Sequence, residues 1–334
     1  MPRIITCAGY YRTGSSAISD FFSEFDDCTS LGDYEFRFLQ DPGGISDLEY
    51  NLIENNHRHN TSHAIKKFRN MVEFHNGNFY SPRYRKYFGD EWLKCSYAYI
   101  NSIAPFQTNL WWHVDQIERG AFFYFLDRLY AKAVGIVNSD RSNVSMLTKE
   151  RAFFSNLTAE EFYMITKEYT RNLFNFANKN SNNFIMVDQL VPPSNIHRYL
   201  NYVDDMKVIV VDRDPRDLYV LEKTRYQWGI IPYKNVNDFC KWYEIIHRHI
   251  NNEIDNPQKV MRINFEEIIY DYDNVKKILC DFIDISYGNH TKQMSFFDPD
   301  RSIKNTHLYN KYPELANEIT YIENNLNDYL YFKE

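Results

Sequence analysis

Residues 9 to 16, GYYRTGSS, have the residue types and the spacing of a loop that binds a phosphate group. Gly9 and Gly14 match the Walker A pattern G-x-x-x-x-G-K-[ST], but serine follows Gly14 where that pattern has lysine. Arg12 is the only cation of the loop. Glycines let a backbone approach an anion closely, and the loop amides and the next helix N-terminus carry partial positive charge.

The missing lysine decides which phosphate ligand suits this loop. In enzymes that hydrolyse nucleoside triphosphates, that lysine reaches the β- and γ-phosphates and the next Ser/Thr holds Mg²⁺. A ligand with one activated phosphate group and no metal therefore fits better. The hydroxyl donors of the loop are Thr13, Ser15 and Ser16. An ordinary strand-to-helix turn with a glycine at positive φ is the alternative interpretation.

A second basic motif lies at residues 208–217, VIVVDRDPRD. The apolar run before Asp212 predicts a strand buried on both faces, and Pro215 suits the start of a helix. Arg213 is then expected at the end of the strand, with Arg216 in the first turn of the helix.

Strands and helices alternate along the chain, which predicts an α/β fold. Apolar runs predict strands that begin at residue 3, end at Asp188, and cover 207–212 and 259–264. Their alternation with helices predicts a P-loop NTPase-like parallel sheet flanked by helices, with right-handed crossovers. Such sheets bind ligands beyond the carboxyl ends of their strands, and both basic motifs are expected there.

The middle of the chain predicts helices rather than further sheet. Helical patterns cover 91–103 and 116–132, and Thr158 with Glu161 forms a capping box before another helix. We expect one domain over residues 1–334. Its nucleotide-binding core would span about 1–35 and 180–334, with a largely helical insertion on the acceptor side over about 36–179.

Three segments together resemble the P-loop sulfotransferases of bacterial type, which use 3′-phosphoadenosine 5′-phosphosulfate. GYYRTGSS is similar to the family's 5′-phosphosulfate loop, and KVIVVDRDPRD is similar to its 3′-phosphate strand and turn. The third segment, RINFEEIIYDYDNVKKILCDFIDI, resembles a later stretch of the same family. The three keep the family's order and rough spacing, whereas residues 35 to about 155 resemble no family that we can name.

The resemblance implies roles for individual residues. Arg12 would lie near the transferred group, and the 5′-phosphate would be held by Arg12, Thr13, Gly14, Ser15 and Ser16. Arg213 would hold the 3′-phosphate, although Leu221 stands where the family has a serine. A basic loop over the nucleotide would correspond to DRSIKNTH, with Lys304 or Arg301 as its cation.

Sulfuryl transfer also needs a general base that takes the acceptor's proton. Asp188 is our first candidate, because it ends the strand expected beside the loop. A structural carboxylate paired with Arg12 is the alternative role for Asp188. His113, in NLWWHVDQ, is the second candidate.

Composition narrows the remaining classes. The net charge of −7 does not favour nucleic-acid binding, and no stretch reaches the roughly 18 apolar residues of a membrane span. The N-terminus lacks a signal-peptide pattern, and five scattered cysteines indicate reduced thiols and a cytoplasmic protein. The histidines have no zinc-site spacing, so we expect no metal.

Three functions stay open at this point. The first is a sulfotransferase acting on an acceptor hydroxyl, by analogy that of a glycan or glycan precursor, with small metabolites, lipids and proteins as other acceptors. The second is a P-loop kinase or NTPase using Mg-ATP, because VIVVD ending at Asp212 resembles a Walker B strand. The third is a non-catalytic nucleotide-binding protein, which Leu221 and the unassigned base would suit. The oligomeric state cannot be read from the sequence.

Overall fold

A five-stranded parallel sheet forms the centre of the chain. The computed structural model describes residues 1–32, 34–110, 118–137 and 150–332. The strand order is β2-β5-β1-β6-β7. The strands are β1 (Arg3–Gly9), β2 (Cys28–Ser30), β5 (Phe184–Asp188), β6 (Met206–Asp212) and β7 (Val260–Asn264). Every pairing between them is parallel. The sheet, with helices on both sides, confirms the predicted α/β fold class.

Burial on both faces explains why β1 and β5 are largely apolar. All five residues of β5 are buried, as are the five inner residues of β1. Alternate residues of β1 enter different apolar clusters: Ile4 and Ala8 join one, and Ile5 and Cys7 join the other. The sheet is therefore covered on both sides, as expected when helices connect parallel strands.

Helices surround the sheet and fill the middle of the chain. Those that follow the strands of the sheet are Ser16–Ser23, Ile196–Tyr199, Pro215–Leu221, Val236–His247, Phe265–Tyr270, Tyr272–Ile283, Pro299–Ser302 and Ala316–Asn325. Those of the middle of the chain are Ile45–Glu49, Arg58–Asn76, Arg85–Phe88, Glu91–Ile103, Ala121–Val137 and Ala159–Ala177. Two π-helical turns, Tyr50–Glu54 and Glu222–Tyr226, extend the helices before them.

The described residues in the middle of the chain are largely helical, with one antiparallel strand pair. Its strands are β3 (Phe106–Leu110) and β4 (Glu150–Phe154). The predicted helix over 91–103 is confirmed at both ends, and the capping box of Thr158 and Glu161 is present. Of the helix predicted over 116–132, residues 116 and 117 lie outside the described residues, and the described helix of this region covers Ala121–Val137. No helix of the described ranges is long and apolar enough to cross a membrane.

Candidate functional site

A cleft of about 880 Å³ opens at the carboxyl edge of the sheet. The loop after β1 lines one part of it, and residues from the ends of β5 and β6 line the adjoining part. Arg12, Gly14, Ser15, Ser16, Asp188 and Arg213 are the predicted site residues that line this cleft. The structure therefore brings the two basic motifs of the sequence to one place.

The phosphate loop, residues 9–16, is held in an unusual backbone conformation. Tyr11, Arg12 and Gly14 have φ angles of 68°, 54° and 96°. A side chain at Gly14 would place its Cβ 2.4 Å from the ring of Phe265. Gly14 is therefore needed both for its φ angle and for the close approach of Phe265.

The hydroxyls of Thr13 and Ser15 each accept a hydrogen bond at the loop. The hydroxyl of Thr13 is buried and accepts a hydrogen bond from the Tyr10 amide at 3.2 Å. The hydroxyl of Ser15 accepts one from the Gln189 side chain at 2.7 Å. Thr13 thus shapes the loop, whereas Ser15 and Ser16 line the cleft.

The loop amides are available to a ligand. No atom in the described part of the chain accepts a hydrogen bond from the backbone amides of residues 11–16. The first amides with an acceptor after them are those of Ala17 and Ile18, which donate to the carbonyls of Gly14 and Ser15. A row of unpaired N–H groups beside a cleft is the arrangement that binds an oxyanion.

Arg213 lies against this loop from the end of β6. Its Nη1 donates to the carbonyl of Arg12 at 3.3 Å, and its Nη2 donates to the carbonyl of Asn305. Its Nε is buried and has no hydrogen-bond partner among the described residues. Burial lowers the pKa of Arg213, while the nearby carboxylates of Asp217 and Glu266 act in the opposite direction.

Arg12 pairs with a carboxylate that follows the helix Pro215–Leu221. Its Nε lies 3.0 Å from Oε2 of Glu222, a fully buried carboxylate. The Cζ atom of its guanidinium also lies 3.8 Å from the ring centroid of Tyr226 and 4.8 Å from that of Trp228. The only cation of the loop is therefore ion-paired within the chain, and its role near the transferred group stays a prediction.

Asp188 is buried at the end of β5 and lines the cleft. The thiol of Cys7, its partner in the strand register, donates to its Oδ1 at 2.7 Å. Burial, and then the Asp188 carboxylate, raise the pKa of Cys7, so the thiol stays protonated. The role of Asp188 as a base stays a prediction, and His113 lies outside the described residues.

The segment expected over the nucleotide reaches the cleft through other residues than Lys304. Ser302 and Asn305 line the cleft, whereas the Lys304 side chain is exposed. Leu221, at the position of the family's serine, lines the cleft with its apolar side chain. The hydroxyl of the nearby Thr224 donates to the carbonyl of Val220 at 2.7 Å, so its proton is already engaged within the helix.

Sequence reasoning missed a polar cluster that includes Tyr10 and His249 of the cleft lining. The hydroxyl of Tyr10 lies 3.2 Å from Nε2 of His249, and Arg262 donates to the same hydroxyl at 3.2 Å. Burial lowers the pKa of His249, which lines the cleft. The only sequence signal is an aromatic residue directly after Gly9.

Asp212, the acidic residue of the Walker B-like strand, is engaged by the chain itself. His247 Nε2 lies 3.1 Å from its Oδ2, and the Tyr243 hydroxyl donates to its Oδ1 at 3.2 Å. Within the described ranges, no group of three or more His, Cys, Asp or Glu side chains could hold a metal ion.

Comparisons with known proteins find similar structures only. No family model and no curated protein matches the chain. The chain is similar to a sulfotransferase domain of the Synechococcus PCC 7002 olefin synthase, with 13% identity, a TM-score of 0.40, and coverage of 92% of this chain and 88% of that one. It is also similar to a sulfotransferase domain of the curacin biosynthetic pathway, with 13% identity, a TM-score of 0.40, and coverage of 98% of this chain and 98% of that one. A third similar structure is a sulfotransferase from Alicyclobacillus acidocaldarius, with 13% identity, a TM-score of 0.40, and coverage of 97% of this chain and 96% of that one.

Proposed function

We propose that this protein is a sulfotransferase that moves a sulfuryl group from 3′-phosphoadenosine 5′-phosphosulfate to an acceptor hydroxyl. The observation that carries the proposal is the row of unpaired amides over residues 11–16, beside the unpaired Nε of Arg213. One donor set suits a 5′-phosphate at the loop, and the other suits a second phosphate of the same nucleotide.

The loop would act on the leaving group of the reaction. The bond between sulfur and the 5′-phosphate oxygen breaks while a bond between sulfur and the acceptor oxygen forms. Negative charge then builds on the phosphate oxygen, where preorganised N–H donors are worth about 3–4 kcal/mol each. The amides of residues 11–16 and the hydroxyls of Ser15 and Ser16 would supply those donors.

The acceptor hydroxyl would lose its proton to a base at the cleft. We assign this role to Asp188, which lines the cleft and whose carboxylate keeps a protonated thiol as its neighbour. General base catalysis of this kind contributes roughly 10²–10⁴ in rate. We further propose a hydroxyl of a glycan or glycan precursor as the acceptor. The exposed indole of Trp228 at the cleft supports a ligand with a flat ring face.

The contacts of Asp212 support this function over a kinase or NTPase that uses Mg-ATP. A Walker B aspartate binds Mg²⁺, whereas Asp212 accepts hydrogen bonds from Tyr243 and pairs with His247. The loop also has Ser15 where the lysine that contacts the β- and γ-phosphates would stand.

Thermal shift and calorimetric titration with 3′-phosphoadenosine 5′-phosphate test the proposal. We expect this nucleotide to raise the melting temperature in EDTA, and ATP to do much less with or without Mg²⁺. Adenosine 5′-phosphate, which lacks the 3′-phosphate, is the matched control and should bind more weakly. Tight binding of ATP that depends on Mg²⁺ would instead support the kinase or NTPase.

A further inference from the structure

The helix Ala121–Val137 carries an apolar stripe that the chain leaves exposed. The stripe consists of Phe122, Leu126, Leu129, Ala133 and Ile136, spaced four, three, four and three residues apart. All five side chains are exposed, and Phe122 and Ile136 are 74% and 72% exposed. At 3.6 residues per turn they fall within a band of about 80° around the helix. We call this band the seam.

The one buried residue of the described helix lies on the side opposite the seam. Asp127 is buried there and has partners. The two cations of the helix, Arg128 and Lys132, lie on its flank and not on the seam. Phe125 and Val137 flank the seam, so every residue from one flank to the other is apolar.

The spacing of the seam is that of a coiled coil. Apolar residues that repeat every three and four positions bring one helix against another, because each side chain fits into a space on the facing helix. An exposed helix in a globular protein usually turns its apolar stripe inward. Here the stripe faces outward, away from the described part of the chain.

The exposed area is large enough for a stable interface. Taking ~200 Å² for a fully exposed large side chain, the seam with Phe125 and Val137 offers roughly 700 Å² of apolar surface. The largest apolar patch of a typical monomer is roughly 300–600 Å². A standard interface buries about 800 Å² on each partner, so this helix alone supplies most of one side.

We propose that the seam pairs with the seam of a second copy of this chain, across a two-fold axis. Such an axis brings the same apolar surface to both sides of the interface. A helix that lies on a membrane usually has a strongly charged face, whereas this helix has two exposed cations.

Sedimentation velocity of the full chain over a wide concentration range tests the proposal. We expect a dimer for the wild type and a monomer for Leu129→Glu and for Phe122→Glu. Each variant places two carboxylates in an apolar interface, which should weaken the dimer by about 100-fold or more. Tyr80→Glu is the matched control, because Tyr80 is 93% exposed and lies on a different segment. This control should remain dimeric.

Circular dichroism and the melting temperature of each variant show that the seam substitutions leave the fold intact. A monomeric wild type would overturn the proposal, and so would a dimer that survives both substitutions. A monomer that binds phosphatidylcholine vesicles and releases them on Leu129→Glu would also overturn it, in favour of a membrane surface.

Discussion

The phosphate loop and the helix Ala121–Val137 each leave groups without a partner in the described part of a single chain, but the groups differ: polar N–H donors in the loop and apolar side chains on the helix. In the loop, amides 11–16 and the Nε of Arg213 have no acceptor in the described part of the chain. On the helix, apolar side chains such as Phe122 have no cover. An unpaired N–H is satisfied by an acceptor, and an apolar stripe by another apolar surface. The kind of unmet group therefore identifies the kind of missing partner.

The two regions should also be separable by mutation. Long-range contacts hold the loop in place, such as that of Phe265 with Gly14 and that of Gln189 with Ser15. The seam depends on none of these residues. A loop variant should therefore lose anion binding and keep self-association, whereas a seam variant should do the reverse.

Gly14→Ala should have the largest effect on the loop. A methyl group at this position needs an unfavourable φ of 96° and meets the ring of Phe265 at 2.4 Å. The loop must shift, and its amides then leave the positions proposed to bind the phosphate. We expect binding of 3′-phosphoadenosine 5′-phosphate to fall below detection in calorimetry and stability to fall by about 1–3 kcal/mol.

Gly32→Ala is the matched control for this prediction. Gly32 also has a positive φ, of 76°, but nothing lies within 4 Å of the added Cβ. The Gly32→Ala variant should lose only the stability that an alanine at positive φ costs, and it should keep nucleotide binding. Equal loss of binding in both variants would mean that general destabilisation, and not loop geometry, explains the first result.

Arg213→Ala should weaken nucleotide binding by about 100-fold, since hydrogen bonds to charged groups are worth about 1.5–3 kcal/mol each. Arg225→Ala is the control, because Arg225 also contacts Asn305, at 2.9 Å, but does not line the cleft. Calorimetric titration measures both. Unchanged affinity in Arg213→Ala would show that the 3′-phosphate lies elsewhere.

Arg12→Met tests a group of the loop that, unlike the loop amides, already has a partner within the chain, Glu222. Removing it leaves Glu222 buried and unpaired, which should lower the free energy of unfolding by about 3 kcal/mol. The double variant Arg12→Met/Glu222→Gln should regain most of that loss in urea unfolding. Two additive losses would mean that Arg12 and Glu222 do not act as a pair.

The sequence predicted the parts of the loop that depend on local pattern. Strand, glycine spacing and helix start are visible in residues 3–23, and Arg213 follows an apolar strand whose end is equally visible. Order along the chain also predicted the parallel sheet. These features depend on neighbours in sequence, so a single chain reveals them.

The partners of the site residues could not be predicted, because they come from distant positions. Cys7 meets Asp188 only because β1 pairs with β5 in one register. Arg12 meets Glu222 only because the fold places the end of the helix Pro215–Leu221 beside the loop.

His75 provides the smallest and most local test, in the middle of the chain. Its Nδ1 is buried without a partner, like the Nε of Arg213, but it does not line the cleft. Burial lowers the pKa of His75 to about 4. Between pH 6.5 and 4 the unfolded chain therefore takes up a proton that the folded chain does not, and stability should fall by up to about 2–3 kcal/mol as the pH decreases.

His75→Phe should keep the stacking on Tyr84, whose ring centroid lies 4.3 Å away, and remove this acid-dependent loss. Urea unfolding at several pH values between 7 and 4 measures the difference. His57→Phe, at an exposed histidine, is the control and should retain the wild-type loss. If both variants keep the wild-type loss of stability, the buried His75 is not its cause.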